Sequence, residues 1–568
     1  MSEHLFTQVS QVVPRGVNTT YRVVEHVFTE IVGPRVAPAA AHPARVSRGW
    51  RPRCTVLCMG NRAGDGTRWV SLAGTCAAAG MVWLAFADLG VAIPTIADDL
   101  DADLGALQWA NNAFSLVTGA LVIAAGRFGD VFGRRRMLVL GIALFGVFSI
   151  VGAVAPNVPT LIAGRALMGI GAALILPATL ALIPAQFSGR ELLTAFGVWQ
   201  AVAWGGQAVG PAIGGAITDG IDWRWLFWIN LPIAALSAVL VLRFTPESSD
   251  EGASRRSDWP GVVTIALAVF ALLYALTDGP AVGWGSPVVI AMFVAAVGLA
   301  LVWCVIEVNA KAPLVDLRLF RLRDYDGALV ANLTMNLAFA GLSYLLVLWL
   351  QNVRGFSAVE AGLLMLPSTV GIFCCIPLGG RMDARFGSRR PVLVGLVVMS
   401  AGLLLLGATS RDSSLWLMAV GLVVVGLGLG LLSTPISNTA VGNVPAHLAG
   451  TAAGVFKMSS MVGGAIGVAL LSALGRGLSV GEWSGAAASA GVEAETVSDL
   501  RAALVNSSSF ADALKTFPEE TRDRVTDAAL TAFSAGVGDA MVVTGAISLG
   551  ATVVVWFLWQ RRSRTPGP

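Results

Sequence analysis

Three ionisable side chains stand inside stretches otherwise apolar enough for a lipid bilayer: Asp88, Arg165 and Lys457. A charge at the centre of a membrane helix costs about 2.5–3.5 kcal/mol on insertion scales, so each implies a partner or a task. Asp88 sits among Phe86, Leu89 and Val91. A carboxyl in such surroundings suits a group that takes up and releases a proton, the plainer reading being local capping or pairing. Arg165 needs a partner, and anchoring to backbone carbonyls would satisfy it. Lys457 lies nine residues into its apolar segment, too deep for comfortable snorkelling. It neutralises Asp88, binds an anionic group of a substrate, or reaches the interface after all. Asn332 and Asn336 share one helical face at a spacing of four. With Asn112 and Asn438 they either line the same cavity or bond helix to helix.

The rest of the chain shows how these groups are held. Hydrophobic residues make up 55% of the 568 and charged ones 13%, about half of what a soluble domain carries. Fourteen apolar segments of membrane-crossing length follow one another, the first at 69–93, the fifth at 194–218, the thirteenth at 449–475 and the last at 540–559. The expectation is an all-α polytopic membrane protein. Nineteen Lys and Arg fall in the loops and tail of one side, against only Arg224, Arg354 and Arg411 in the short loops of the other. By the positive-inside rule both termini are expected in the cytoplasm. The net charge of +3 is accounted for by this bias, and nucleic-acid binding is not indicated.

No G-x-S-x-G, P-loop or H-E-x-x-H pattern occurs, so neither an enzyme nor an ATP-driven pump is expected. Cys54, Cys58, Cys76, Cys304, Cys374 and Cys375 lack nearby histidines, and no metal is expected. Energy would then come from an ion gradient, with no cofactor.

One charged loop occurs twice. Gly126, Asp130, Gly133, Arg134 and Arg135 reappear 253 residues later as a second set around Asp383, Arg389 and Arg390. Two six-helix halves would set the copies roughly 180–190 residues apart, at ~30 residues for each span together with its loop. The excess matches two inserted spans, 260–278 and 287–306. The expected organisation is a disordered basic tail (1–68), a six-helix bundle (69–243), an inserted pair with linkers (244–325), a second bundle (326–560) containing an outer loop (476–538), and a tail (561–568). Met59 is an alternative start to Met1. The outer loop is acidic, with short helices expected near 493–506 and 519–534.

The repeated loop resembles the conserved cytoplasmic loop of major facilitator transporters. Leu161 to Gly171, around Arg165, is similar to that family's motif with an intramembrane arginine near the proton-relay region. Gly206, Gly210, Pro211, Gly214 and Gly215 resemble its exporter motif, where small residues let helices approach and proline bends one. Pro94 ending the first span, Gln108-Trp109 opening the second and Trp223 to Pro232 opening the sixth complete a likeness to the fourteen-span drug:proton antiporters of the EmrB/QacA-like group. That likeness covers about 69–560. It departs at one place: the family's Leu-Asp pair in the first span is here Leu84-Ala85, with Asp88 the nearest acid.

The resemblance implies the major facilitator fold and a monomeric, proton-coupled antiporter of the plasma (inner) membrane. It would export small amphipathic organic compounds, including antibiotics and other drugs, by alternating access. Asp88 and Arg165 would handle the proton, the Asp130 and Asp383 loops would latch helix pairs in one state through Arg contacts, and Gly210 and Pro211 would let the halves rock. The alternatives are a dedicated exporter of an endogenous metabolite or lipid-like compound, and a transport-dead sensor or scaffold.

Overall fold

The computed structural model describes residues 65–102, 104–249, 258–310, 313–411, 413–489 and 518–559. Most of the expected tail at 1–68, the alternative start at Met59, the helix expected at 493–506 and the 561–568 tail lie outside the described residues. Among the described residues every regular element is helical.

The first half comprises α1 (Asp65–Ala87), α2 (Leu89–Leu100), α3 (Leu104–Phe132), α4 (Arg134–Ala153), α5 (Val158–Gln186), α6 (Gly189–Gly220), α7 (Trp225–Trp228) and α8 (Asn230–Phe244). The inserted pair is α9 (Trp259–Val282) and α10 (Pro287–Asn309). The second half comprises α11 (Arg323–Asn352), α12 (Ala358–Leu363), α13 (Leu366–Phe386), α14 (Arg389–Gly407), α15 (Leu415–Ser437), α16 (Ala449–Ser489) and α17 (Glu519–Leu558).

Thirteen helices among the described residues are both long and apolar enough to cross a membrane. The remaining expected span is α6, which has 32 residues, ample length, but a more polar sequence. Its glycines and Gln200 and Gln207 lower its hydropathy because it faces other helices and a cavity rather than lipid. Length and lipid-facing character are separate requirements, and α6 meets the first.

Several spans are interrupted. Pro232 cannot donate to the carbonyl of Trp228, and the sixth span divides into α7 and α8 at Ile229. The first span, expected as one helix over 69–93, divides at Asp88 and runs on to Leu100. Helix α15 ends in a π turn, Asn438–Gly442. The largest correction concerns the expected outer loop at 476–538. Residues to Ser489 continue α16 and those from Glu519 belong to α17, giving helices of 41 and 40 residues. At 1.5 Å per residue each is about 60 Å long, twice the hydrocarbon thickness. Their overhanging ends pack on each other: a Cβ on Gly536 would meet the backbone of Gly475 at 2.8 Å, and Trp483 is fully buried.

Both repeated loops, the start of α1 and the end of α17 gather at one end of the molecule. Arg68 pairs with Glu191 at 3.3 Å, and Arg389 donates to the carbonyl of Trp556. Helix α16 ties the halves together, with Gly450 and Gly454 against α3 and Gly463 and Gly467 against α11.

Candidate functional site

Helix α6 reaches α1 through its glycines. A Cβ on Gly206 would meet the carbonyl of Gly80 at 3.0 Å, one on Gly210 the Cβ of Ala87 at 2.6 Å, and one on Gly214 the carbonyl of Asp88 at 2.5 Å. The four-residue spacing is thus a stripe pressed against the backbone that carries Asp88, and the first span breaks where Gly214 crosses it. Gly215 is buried nearby. Pro211 leaves the carbonyl of Gln207 without its usual helical donor, loosening α6 beside the cavity.

Asp88 is buried and makes no ion pair among the described residues. Arg165 is also buried, and its partners are oxygens on neighbouring helices. It donates to the carbonyl of Ala85 at 2.9 Å, to that of Ala110 at 3.4 Å and to Asn111 Oδ1 at 2.9 Å. Its guanidinium also lies 4.4 Å from the centre of the Phe114 ring. The arginine therefore binds the backbone of Ala85. It still attracts Asp88, three residues further on, through space.

At the end with the repeated loops, Asp130 is completely buried. It accepts from the Gly450 N–H (2.8 Å), the Thr451 N–H (2.7 Å), the Thr451 hydroxyl (2.9 Å) and Arg134 Nη2 (2.7 Å). Arg134 also donates to the carbonyl of Ala446 at 2.5 Å and to Ser248 Oγ at 3.0 Å. Two opposite charges out of water are tolerated when hydrogen bonds satisfy what remains, as they do here. Gly126 completes the contact, since a Cβ there would overlap the carbonyl of Gly450. Gly133 takes a φ of +106°, a conformation that glycine adopts without strain. This lets Glu247 cap the turn by accepting from the Arg135 N–H at 3.1 Å.

The second copy is built differently. Asp383 accepts from Asn438 Nδ2 at 3.0 Å and Ser388 Oγ at 2.8 Å, both within its own half. Arg389 binds Trp556, and Arg390 stacks over Phe386 with its Cζ 5.2 Å from the ring centre.

Between the halves lies a cavity lined by Trp83, Gln200, Ala203, Trp204, Gln207, Asn332, Met335, Asn336, Phe456, Lys457 and Ser460. It holds about 360 Å³ of empty space, counting its part open to solvent. Asn332, Asn336 and Lys457 therefore share one site. Asn112 does not line it, its neighbour Asn111 instead serving Arg165. Asn438 does not line it either, being engaged with Asp383. Lys457 is 5% exposed, and its Nζ lies 4.4 Å from the ring centre of Trp199 and 5.3 Å from that of Trp83. Sequence reasoning missed Trp83, Trp199, Gln200 and Thr451, and it passed over Gln207 inside the exporter motif. At the opposite end Asp99 accepts from Trp223 Nε1 at 3.1 Å and Arg224 Nη1 at 2.9 Å. These two donors, Trp223 first, hold its carboxyl below the usual carboxylate range. Among the described residues no cluster of three metal-ligating side chains occurs.

The family description "Major Facilitator Superfamily" matches residues 71–468. The chain is 37% identical over 397 residues to the multidrug resistance protein Stp of Mycobacterium tuberculosis, covering 69% of this chain and 73% of that protein. It is 30% identical over 500 residues to the tetracenomycin C resistance and export protein of Streptomyces glaucescens, covering 87% and 92%. It is 32% identical over 396 residues to the quinolone resistance protein NorB of Staphylococcus aureus, covering 69% and 85%. In fold it is similar to the human organic anion transporter MFSD10 (TETRAN), with a TM-score of 0.56 at 16% identity over 87% of this chain and 99% of that one. The chain is a multi-pass membrane transporter of the Major Facilitator Superfamily, kin to its multidrug- and antibiotic-resistance members.

Proposed function

We propose that the protein is a proton-coupled antiporter that exports small amphipathic organic compounds by alternating access. The observation that carries this reading is a polar and aromatic cavity between two halves that Asp130 holds together at one end. A transporter of this kind must break that contact to expose the cavity there. The excess of Lys and Arg in the loops of that end supports a cytoplasmic orientation for it, in the plasma membrane. The chain acts as a monomer, because one copy holds both halves and the whole cavity.

Asp88 carries the proton, and Arg165 sets the electrostatics around it from its anchorage on Ala85. One proton entering down about 150 mV releases roughly 3.5 kcal/mol, enough for a substrate gradient of a few hundred-fold. Gly214 couples the two tasks, because rocking of α6 moves against the backbone of Asp88. The relatives named for multidrug resistance, tetracenomycin C export and quinolone resistance support efflux of foreign or antibiotic compounds.

The test is efflux of cationic, neutral and anionic dyes from cells or everted vesicles, with and without an uncoupler. Export that stops on uncoupling supports the reading. Export indifferent to the gradient rejects proton coupling, and no transport at all favours the sensor or scaffold. Poor growth of a deletion strain without added drug would favour export of an endogenous metabolite.

A further inference from the structure

Lys457 is a buried amine with no anion beside it among the described residues. It is 95% buried by residue, yet forms no hydrogen bond and no ion pair among the described residues. No carboxylate forms an ion pair with it among the described residues, so Asp88 is not its partner here. Around Nζ stand three aromatic faces, Trp199 at 4.4 Å, Trp83 at 5.3 Å and Phe456 at 5.5 Å. Cation–π contacts attract the ammonium but do not replace the acceptors that water would give it.

Several other polar groups of the cavity are engaged, while Trp83 Nε1 and Gln207 are neutral donors without a partner among the described residues. Asn332 Nδ2 donates to the carbonyl of Phe456 and to the hydroxyls of Ser459 and Ser460, each at 2.8 Å. Asn336 Nδ2 donates back to Asn332, and Ser460 Oγ to the carbonyl of Phe456. Gln200 donates to the carbonyl of Ser433. The strongest free donor in the lining is therefore Lys457, and no lining residue is an acid.

We propose that this cavity is built for an aromatic compound bearing a single negative charge, a carboxylate or phenolate, which pairs with Lys457 while its rings lie against Trp83, Trp204 and Phe456. The proposal rests on the export reading for its direction of transport, and on the cavity alone for its ligand. It excludes dications, which would bring two charges to a lining that offers none of the opposite sign.

The test uses the full-length protein in detergent, without a gradient, and follows tryptophan fluorescence on titration with three probes. These are coumarin-3-carboxylate, its neutral analogue coumarin-3-carboxamide, and the dication propidium. The wild type is expected to bind the carboxylate roughly tenfold or more tighter than the amide, the scale of a charge-assisted bond in a buried site. Lys457→Met should erase that preference, bringing the ratio of carboxylate to amide binding to about one, and residual binding of the amide reports a folded cavity. Lys457→Arg should keep most of it. Equal binding of carboxylate and amide by the wild type, a preference that survives Lys457→Met, or tighter binding of propidium overturns the proposal. Transport of the same probes in proteoliposomes with an imposed proton gradient is scored separately. Its absence beside selective binding would reject the export reading and leave the anion site standing.

Discussion

Asp130 and Asp383 occupy matching places in the two repeated loops, yet Asp130 holds α16 of the opposite half while Asp383 holds only Asn438 and Ser388 of its own. The difference lies in what each meets. Asp130 finds the free N–H groups of Gly450 and Thr451 at the start of α16, a helix end that favours an anion. The corresponding fifth helix of the first half, α6, begins with Gly189 and Arg190 and then places Glu191 in its first turn. An acid there makes that helix end less welcoming to the Asp383 carboxylate, and no bond from α6 to Asp383 occurs among the described residues. One latch spans the molecule and the other braces a half.

The two aspartates should therefore respond unequally to the same substitution. Asp130→Asn replaces a carboxylate that accepts on both oxygens with a group whose NH₂ confronts donors. Weakening charge-assisted bonds worth about 1.5–3 kcal/mol each should lower the transport rate at least ~10-fold with the ranking of dyes unchanged. Asp383→Asn should cost a few-fold at most. Initial rates in proteoliposomes decide this, and equal losses would mean that the second loop also latches the halves.

A glycine comparison tests the contact between α6 and the first span. Gly214→Ala would set a Cβ 2.5 Å from the carbonyl of Asp88, and neither backbone can yield cheaply. Overpacking of this kind costs about 1–3 kcal/mol. The variant should unfold at lower temperature in detergent and lose most of its transport. Gly220→Ala, where nothing lies within 4 Å of the added carbon, is the matched control and should behave as wild type.

Asp99 offers a prediction about acid. Its carboxyl titrates lower in the folded protein than in the unfolded chain, so its clasp on Trp223 and Arg224 contributes stability that is present at neutral pH. That contribution fades as pH falls from about 4, the usual carboxylate value, through the folded value. Asp99→Asn should thus leave the pH profile of transport between 6 and 8 unchanged. A shift of that profile in this variant would implicate the outer clasp in proton handling.

The spans were legible because lipid demands long apolar helices whatever their neighbours, and the latches because Asp, Gly and Arg recur between such helices. Helical phase was not legible. Asn111 and Asn112 are adjacent, about 100° apart around the helix, and only packing decides that Asn111 meets Arg165. Asn438 looked like a cavity residue because it is polar in an apolar span, but the π turn at the end of α15 directs it to Asp383. The overhangs of α16 and α17 were read as loop because hydropathy measures affinity for lipid. Helix propensity and mutual packing continue both helices beyond it.

The decisive prediction concerns Asp88 and Arg165. Asp88 is the buried acid of the first span, while Arg165 holds the carbonyl of Ala85 and the side chain of Asn111. Asp88→Asn keeps the shape of the site and removes the proton-binding group. It should abolish accumulation driven by a proton gradient, yet preserve exchange of labelled for unlabelled substrate at equilibrium, which needs only the rocking motion. Asp88→Glu should retain part of the coupling, since the carboxyl returns one methylene longer. Arg165→Lys should impair both activities, because a single ammonium cannot reproduce a planar fork that reaches two helices and lies over Phe114. If Asp88→Asn still concentrates substrate with the wild-type pH dependence, the carboxyl is structural. The proton must then travel through another buried acid, with Asp383 the first to be substituted next.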